Sequence, residues 1–346
     1  MFNKIYEVLK KIFTVCKNIL SKIFNDVVVI ILDIILIILI FISIFIELPY
    51  GVYMPGGATS VITHLNNIKY ETKGDIATTH VSFISGDILS LIGALIMPNW
   101  DIIKIEDIKY SHEELVDAEK RSVIDLYSSA SIATVLAYEK ANVPLEITST
   151  DRFVTFIFEE AKTDLKVGDK IIKFNGKDYN PEEVAEYITT LELGDTIKLT
   201  VLRDEEEIET TSEIVEIEGG KYMGIVVTTI LNFDKENVVT FEPEANSSGA
   251  SGGLMMTLGI YNSLTKEDIT KGRKICGTGT IDYDGTVGEI SSVKYKVMGA
   301  DKDKCDVFLV PEINYEEAKS TKDKFKYNLD IVSVNTLDEA LEYLSK

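Results

Sequence analysis

Residues 246–256 read NSSGASGGLMM, which places Ser251 among glycines directly ahead of an apolar run of helical character. On both sides of this stretch the pattern alternates between extended and helical. We predict strands over GIVVTTILNF and NVVTFEP, helix 252–264, strand 274–281, helix 291–300 and strand 306–310. Because strand and helix alternate, residues 219–346 are predicted to form an α/β or α+β domain that begins at a Gly-Gly seam.

Ser251 is interpreted either as a nucleophile or as the cap of the helix that follows it. Residues 249–253 match the letters of the G-x-S-x-G nucleophile elbow, but that enzyme order requires a histidine after the serine. All histidines of the chain precede Ser251; they are His64, His80 and His112. The α/β-hydrolase order is therefore excluded, and a nucleophilic Ser251 needs a lysine, aspartate or glutamate as its base.

Composition and missing motifs exclude several classes of protein. The 346-residue chain carries a formal charge of −21. This charge argues against a nucleic-acid partner, because such proteins neutralise phosphates with clustered lysine and arginine. HEELV at 112–116 lacks the second histidine of a zinc-binding H-E-x-x-H, and no phosphate-binding G-x-x-x-x-G-K-[ST] occurs. We therefore expect neither a metal nor another cofactor.

Residues 143–218 carry the pattern strand, hairpin, helix and strand. The run LKVGDKI at 165–171, followed by Asn-Gly at 175–176, resembles the L-x-x-G-D-x-I-x-x-x-N-G motif of bacterial PDZ domains. The resemblance implies a module that captures an extended peptide along a strand edge. Its expected peptide-binding residues are Phe153, Val154 and Phe156. A small β-rich spacer that binds nothing is the alternative.

Residues 49–142 divide into a β-like part and a helical part. From 51 to 110, turn signals alternate with short apolar runs such as ATTHVSFIS. Residues 111–141 contain no glycine or proline and repeat apolar residues every three or four positions, which predicts a helix with Ser111 as its N-cap. We expect the whole segment to pack on the C-terminal domain, with residues 143–218 as an insertion.

The stretch 27–46, VVVIILDIILIILIFISIFI, has one charge, Asp33, in twenty residues, about the length that crosses a bilayer as a helix. Residues 1–26 hold five lysines against two acidic residues, so the positive-inside rule makes this segment cytoplasmic. A cleaved signal peptide is the alternative, but no small-residue cleavage site follows the run. We predict an uncleaved transmembrane helix over 27–48 and an extracellular chain from residue 49 onward.

Cysteine is scarce in this chain. Cys16 lies on the predicted cytoplasmic side, whereas Cys276 and Cys305 lie on the outer side. Whether the outer two form a disulfide is left open, because the sequence does not measure their separation in space.

Three spaced motifs occur in the C-terminal third, at 249–253, 278–281 and 287–292. They read G-A-S-G-G, T-G-T-I and V-G-E-I-S-S, and a helical stretch with lysines follows at 293–297. In this order they resemble the G-P-S-A-G, T-G-x-I and V-x-x-I-G-G motifs of Lon-type (S16) peptidases. With the anchor, the PDZ-like module and PYGVYMPGG at 49–57, the chain is similar to the membrane-anchored PDZ and Lon-type serine protease family of Gram-positive bacteria.

The resemblance implies a catalytic pair. Ser251 is the expected nucleophile and Lys296 the expected base, since the family often uses the second lysine of a K-x-K pattern. Lys294 lies two residues away, about 200° round a helix, so both lysines cannot face the serine. Thr278 matches the family's threonine that orients the amine. The backbone groups expected to bind the oxyanion belong to Gly249, Ala250 and Gly252.

A lysine acts as a base near neutral pH only if its pKa falls by roughly three units, and burial against Val293 and Val297 is expected to lower it. The chain departs from the family pattern where Ser291 and Ser292 replace two glycines, and where Gly252 replaces alanine. None of these changes removes a catalytic group.

The prediction as a whole is an α+β chain with an N-terminal transmembrane helix, a PDZ-like β-rich module and a Lon-type proteolytic α/β domain. We expect a membrane-anchored, ATP-independent serine endopeptidase that cuts peptides or unstructured protein segments outside the cell. Its expected partners are those substrates, the membrane and, as a possible homo-oligomer, further copies of the chain. A catalytically inactive PDZ-like peptide receptor is the alternative.

Overall fold

The structure is a computed structural model, and the residues it describes are 2–23, 26–45, 48–178 and 181–346. The chain divides into two compact units. The first comprises Met1–Val52 with Phe83–Lys104, and the second comprises Tyr53–Ser82 with Ile105–Lys346.

The secondary structure of the described residues mixes helices and strands along the whole chain. The helices are α1 (Phe2–Ile23), α2 (Asp26–Phe45), α3 (Ile88–Ile96), α4 (Leu115–Lys140), α5 (Pro181–Thr189), α6 (Gly253–Leu264), α7 (Val293–Lys302), α8 (Tyr315–Phe325) and α9 (Leu337–Ser345). The strands are β1 (Tyr50–Ser60), β2 (Asp75–Ser85), β3 (Asp101–Lys104), β4 (Ile147–Ile157), β5 (Lys170–Phe174), β6 (Lys177–Asp178), β7 (Thr196–Arg203), β8 (Glu206–Glu213), β9 (Val215–Ile217), β10 (Gly220–Tyr222), β11 (Ile225–Phe233), β12 (Lys274–Gly277), β13 (Thr280–Ile281), β14 (Val287–Gly288), β15 (Val307–Pro311) and β16 (Asp330–Val334).

The first unit contains α1, α2 and α3. Asp33, the one charge of the predicted membrane span, lies on α2 with its Oδ2 atom 3.2 Å from Lys17 Nζ on α1. Across the part of the chain that the structure describes, no helix combines the length and the apolar character that crossing a membrane requires. The transmembrane helix predicted over 27–48 is therefore unsupported, and residues 46–47 and several side chains of that span lie outside the described residues.

The sheet of the second unit has a separate hydrophobic core on each face. Its strand order is β16-β15-β12-β2-β1, and β12 runs parallel to both neighbours with Cys276 opposite Ala77 and Phe308. Side chains alternate between the two faces along a strand. Ile275 therefore packs in the cluster that contains α4 and α6, whereas Cys276 packs in the cluster that contains α7. This sheet thus holds α6 and α7 on either side of β12.

The module expected over residues 143–218 is an antiparallel sheet with helix α5, and the sheet extends past residue 218 because β11 pairs with β4. Its strand order is β11-β4-β5-β7-β8, with β6 paired to β5. The predicted order of strand, hairpin, helix and strand is confirmed as β4, β5 with β6, α5 and β7. Asn175 and Gly176 turn this hairpin with φ of 48° and 76°, the left-handed pair that an Asn-Gly turn favours.

Several details of the predicted secondary structure are wrong. The helix expected from Ser111 begins at Leu115 with Glu114 as its N-cap, and it has no side-chain cap. The β-like segment 51–110 contains α3, which begins because Asp87 and Ser90 form a reciprocal capping box. The strand expected over NVVTFEP is absent from this described stretch, because the Tyr138 hydroxyl accepts the Val239 N–H at 2.7 Å where a ladder partner would be needed.

A disulfide joins Cys276 and Cys305, whose Cα atoms are 5.8 Å apart, and it settles the question that the sequence left open. Both cysteines are buried. The bond connects β12 to the residues that follow α7, and the 29-residue separation between its ends spans Thr278 and Lys296.

We expect the Cys276→Ala/Cys305→Ala variant to lose about 3–4 kcal/mol in free energy of unfolding, because the bond restricts a loop of this length in the unfolded chain. Urea unfolding under non-reducing conditions measures the loss. Cys16→Ala is the matched control, since Cys16 is exposed and unpaired with another cysteine. A double variant as stable as Cys16→Ala would contradict the assigned bond.

Candidate active site

Ser251 lies in a single 3-10 turn, Ala250–Gly252, that leads directly into α6. Gly249 precedes this turn with a φ of 89°, a backbone conformation that residues with side chains rarely adopt. The backbone conformation at position 249 therefore favours glycine. Ser251 itself is partly exposed.

Helix α4 holds the turn that carries the serine. The Ser122 carbonyl accepts the Gly249 N–H at 2.8 Å, and Ser129 Oγ donates to the Ala250 carbonyl at 3.1 Å. Because the Gly249 N–H is already bonded, the predicted oxyanion role of Gly249 is wrong in this arrangement. The same role for the backbones of Ala250 and Gly252 stays a prediction.

Lys296 reaches this turn from α7 on the other face of the sheet. Its Nζ atom lies 2.8 Å from Ser251 Oγ and 3.0 Å from Thr278 Oγ1. The lysine is 5% exposed and Thr278 is fully buried. The structure thus brings together the three residues that the sequence proposed for the catalytic centre.

The other hydrogen bond of the Thr278 hydroxyl determines which partner donates in its contact with Lys296. Thr278 Oγ1 donates to the Ser251 carbonyl at 3.0 Å, and the Gly279 N–H donates to the same carbonyl at 2.7 Å. A threonine hydroxyl has one proton, so Thr278 can only accept from Lys296. A neutral amine that donates one proton to Thr278 keeps its lone pair for the hydroxyl of Ser251.

Burial lowers the pKa of Lys296 from 10.5 to about 8, because the ammonium form loses its hydration in the protein interior. Val293 and Val297, the predicted apolar neighbours on α7, are both fully buried. With a pKa of about 8, roughly a tenth of the amine is uncharged at pH 7. The group is therefore available as a base at physiological pH without a carboxylate or histidine to activate it.

The second lysine of this helix is in a different environment. Lys294 Nζ lies 5.1 Å from the centre of the Tyr295 ring, and the side chain is partly exposed. The sequence preference for Lys296 over Lys294 agrees with this geometry. Ser292 has a φ of 62° at the start of α7, where a residue without a side chain would be less strained.

Sequence reasoning missed Ser122 and Ser129, because they precede Ser251 by more than a hundred residues. The signal that could have found Ser129 is the small-residue run SSASIA at 128–133, which predicts a helix face able to approach another backbone closely. A Cβ atom built on Gly253 would lie 2.7 Å from Ser129 Oγ. The close approach of α4 to this backbone therefore requires a residue without a side chain at position 253.

The three residues expected to bind peptide do not offer a free strand edge. β4 is paired with β11 on one side and contacts β5 on the other, with Phe153 opposite both Thr228 and Lys170. Val154 is fully buried, while Phe153 and Phe156 line two separate surface cavities beside α4. Their part in peptide binding stays a prediction, and capture along this strand edge has no geometric support.

Among the described residues, no group of three or more histidine, cysteine, aspartate or glutamate side chains is arranged to hold a metal ion.

Comparison with known proteins places the candidate site inside a recognised domain. Residues 221–345 match the Lon protease (S16) C-terminal proteolytic domain. Similar curated proteins are the Lon proteases of Rickettsia typhi, with 32% identity over 95 residues (28% of this chain, 12% of that protein), and of Brucella suis, with 31% over 113 residues (32% and 14%). The Lon protease of Campylobacter jejuni is 26% identical over 184 residues (50% and 21%).

The matches thus cover about an eighth to a fifth of the length of these relatives. They support a serine protease domain in the C-terminal part of the chain. All three relatives come from Gram-negative bacteria, so the expected Gram-positive origin is not shown.

Among solved structures, the PDZ domain of an SdrC-like protein from Listeria innocua is 22% identical over 22% of this chain and 92% of that one, with a TM-score of 0.21. The corresponding domain from Listeria monocytogenes is 19% identical over 24% and 93%, with the same TM-score. Likeness at this score adds nothing to the strand order described above.

Proposed function

We propose that this chain is a serine endopeptidase in which Ser251 is the nucleophile and Lys296 the general base. The observation that carries the proposal is the 2.8 Å contact between the Lys296 amine and the Ser251 hydroxyl, made by a lysine that is 5% exposed. A buried amine beside the hydroxyl of a partly exposed serine is the arrangement that Ser-Lys catalysis requires.

The reaction proceeds through an acyl-enzyme. The neutral amine of Lys296 accepts the proton of the Ser251 hydroxyl as Oγ forms a bond to the scissile carbonyl carbon. The lysine ammonium then donates that proton to the leaving nitrogen, and the carbon–nitrogen bond breaks. Water attacks the ester after giving a proton to Lys296, which finally returns it to Ser251 Oγ.

The oxyanion of the tetrahedral intermediate needs hydrogen-bond donors near Ser251. We assign this role to the backbones of Ala250 and Gly252, where the 3-10 turn opens into α6. The amino-terminal end of a helix presents backbone N–H groups and a partial positive charge, both of which stabilise a developing anion.

Thr278 is a positioning residue in this scheme. We expect Thr278→Val to lower kcat roughly tenfold to a hundredfold with little change in KM, because the buried amine loses its acceptor and no longer directs its lone pair at Ser251. Thr278→Ser keeps the hydroxyl and should restore most of the loss. Steady-state kinetics on one peptide measures both; equal losses in the two variants would assign Thr278 a packing role only.

The proposed substrates are flexible peptides or unstructured protein segments, and the proposed reaction needs no nucleotide. The sequence contains no G-x-x-x-x-G-K-[ST] motif to bind ATP. The test incubates the purified full chain with an unfolded protein in the absence of nucleotide and identifies new termini by mass spectrometry. Intact substrate after prolonged incubation at pH 8.5 would contradict the proposal.

The proposed location is the outer face of the cell membrane. Two observations favour it: the exposed aliphatic side chains Ile30, Ile31, Ile34 and Ile35 on α2, and the buried disulfide, a bond that persists in oxidising compartments. Extraction of cell membranes with alkaline carbonate tests the attachment, since an integral protein stays in the pellet.

The rival function is a peptide receptor without catalysis, in which the β-rich module binds and the C-terminal domain is scaffold. The two surface cavities beside α4, one lined by Phe153 and the other by Phe156, are the observation that favours it. The two functions separate in one experiment, because a receptor binds a labelled peptide without turning it over.

A further inference from the structure

A cavity of about 670 Å³ lies between α4 and the neighbouring strands β4 and β11. We call it the aromatic groove and define it by Tyr110, Arg121, Asp125, Phe156 and Phe158, which contribute to its lining together with polar residues of both strands. No step of the proposed reaction uses these side chains.

Three rings of the aromatic groove pack edge to face in a row. The Tyr110 and Phe156 rings meet edge to face with centroids 5.4 Å apart, and Phe156 meets Phe158 in the same way at 5.2 Å. Such packing fixes the three rings, all of which line the cavity. An aromatic face attracts a cation, and the attraction increases when water is excluded.

The charge of the groove is negative, because its arginine is already neutralised. Arg121 donates from Nε and Nη2 to the two carboxylate oxygens of Glu113 at 2.8 and 2.9 Å, and Glu113 is buried. The guanidinium also lies 4.1 Å from the centre of the Tyr110 ring. Asp125 is left at 3.7 Å from Arg121 Nη1, beyond hydrogen-bond distance.

Two further carboxylates, Glu159 and Glu160, line the same cavity, and Glu159 lies 2.9 Å from His112 Nε2. Burial raises the pKa of Asp125, against a smaller opposite effect of Arg121, so its carboxylate is incompletely compensated by water and by its neighbour. A second cation near Asp125 would supply that compensation.

The aromatic groove and the candidate active site share one helix. Arg121 and Asp125 project from the same turn of α4 as Ser122, whose carbonyl binds the Gly249 N–H of the serine turn. The groove and the turn that carries Ser251 are therefore attached to the same turn of α4.

We propose that the aromatic groove binds the lysine or arginine side chain of a peptide substrate, with the rings and Asp125 as its recognition elements. The inference rests on the proposed peptidase function and specifies its substrate class: extended peptides that carry a basic residue. Aromatic faces with carboxylates match an aliphatic stem with a cationic end, whereas an acidic side chain would face like charge.

The test measures binding separately from cleavage. A fluorescein-labelled unstructured peptide with one lysine and its twin with norleucine at the same position are titrated into the full chain carrying Ser251→Ala, and anisotropy gives Kd. We expect the norleucine peptide to bind about tenfold more weakly. Asp125→Asn in the same background should remove the difference, while Glu146→Gln, an exposed carboxylate outside the groove, should preserve it.

Cleavage by the otherwise unmodified chain provides the second readout, as kcat/KM for the same two peptides. Equal Kd values for the lysine and norleucine peptides would overturn the inference, and so would an Asp125→Asn variant that still discriminates tenfold. Because Asp125→Asn could disturb folding, Tyr110→Leu is the second variant, with the same expected loss of discrimination. Discrimination in binding without any cleavage would support the groove and contradict the peptidase function.

Discussion

We expect peptide cleavage to fall by roughly a thousandfold or more in Ser251→Ala and in Lys296→Met. The first variant removes the atom that attacks, and the second removes the proton acceptor 2.8 Å away while keeping an apolar chain of similar length. Without a base, the Ser251 hydroxyl keeps its proton near neutral pH and is a poor nucleophile. Initial rates on an unstructured fluorogenic peptide measure the loss as kcat/KM.

The matched control is Lys294→Met on the same helix, which we expect to stay within about twofold of the unmodified chain. Lys294 Nζ lies over the Tyr295 ring, and its removal leaves the amine of Lys296 in place. The double variant Ser251→Ala/Lys296→Met should be no slower than either single variant, since the two residues act as one unit. Equal losses in Lys294→Met and Lys296→Met would contradict the assignment of the base.

The second large effect is the pH dependence of kcat/KM, which we expect to rise roughly a hundredfold from pH 6 to pH 9 with a midpoint near pH 8. The active form of the lysine is the neutral amine, and burial lowers the Lys296 pKa to about 8. Its neutral fraction therefore grows about tenfold per pH unit below 8 and levels off above it. Burial also lowers the pKa of His80 from its ordinary value of 6.5, which moves its titration away from the midpoint near pH 8.

The titration of Lys296 also makes the free energy of unfolding depend on pH. Below about pH 8 the lysine is protonated in both the folded and the unfolded chain. Between pH 8 and 10.5 it is protonated only in the unfolded chain. The contribution of Lys296 to stability therefore increases with pH across that window. Relative to Lys296→Met, the unmodified chain should gain about 3 kcal/mol in free energy of unfolding as the pH rises from 8 to 10.5. A kcat/KM that is flat from pH 6 to 9, or that falls above 8, would contradict the neutral-amine base.

The local sequence pattern was sufficient to predict much of the candidate site. The apolar run after the glycines predicted α6 within one residue, and the 100° step per helical residue separated Lys296 from Lys294. The strand expected over 274–281 is interrupted at Thr278 and Gly279, between β12 and β13. That interruption places the threonine hydroxyl against the Ser251 carbonyl.

Residues positioned by distant contacts could not be predicted. Ser122 and Ser129 support the serine turn only because α4 packs on α6, a contact between elements more than a hundred residues apart. Gly249 was assigned to the oxyanion because it lies in the serine motif ahead of a helix, yet the Ser122 carbonyl accepts its N–H. The pairing of β4 with β11 removed the expected strand edge for the same reason, since sheet partners are chosen by tertiary structure.

The central claim is that Lys296 activates Ser251, and covalent labelling with a fluorophosphonate tests it most directly, because this reagent needs an activated serine but no knowledge of the natural substrate. The claim predicts one adduct per chain at pH 8.5, mapped to Ser251 by peptide mass spectrometry, with loss of the adduct in Lys296→Met and retention in Lys294→Met. An adduct on another residue, or labelling of Ser251 at an unchanged rate in Lys296→Met, would contradict it.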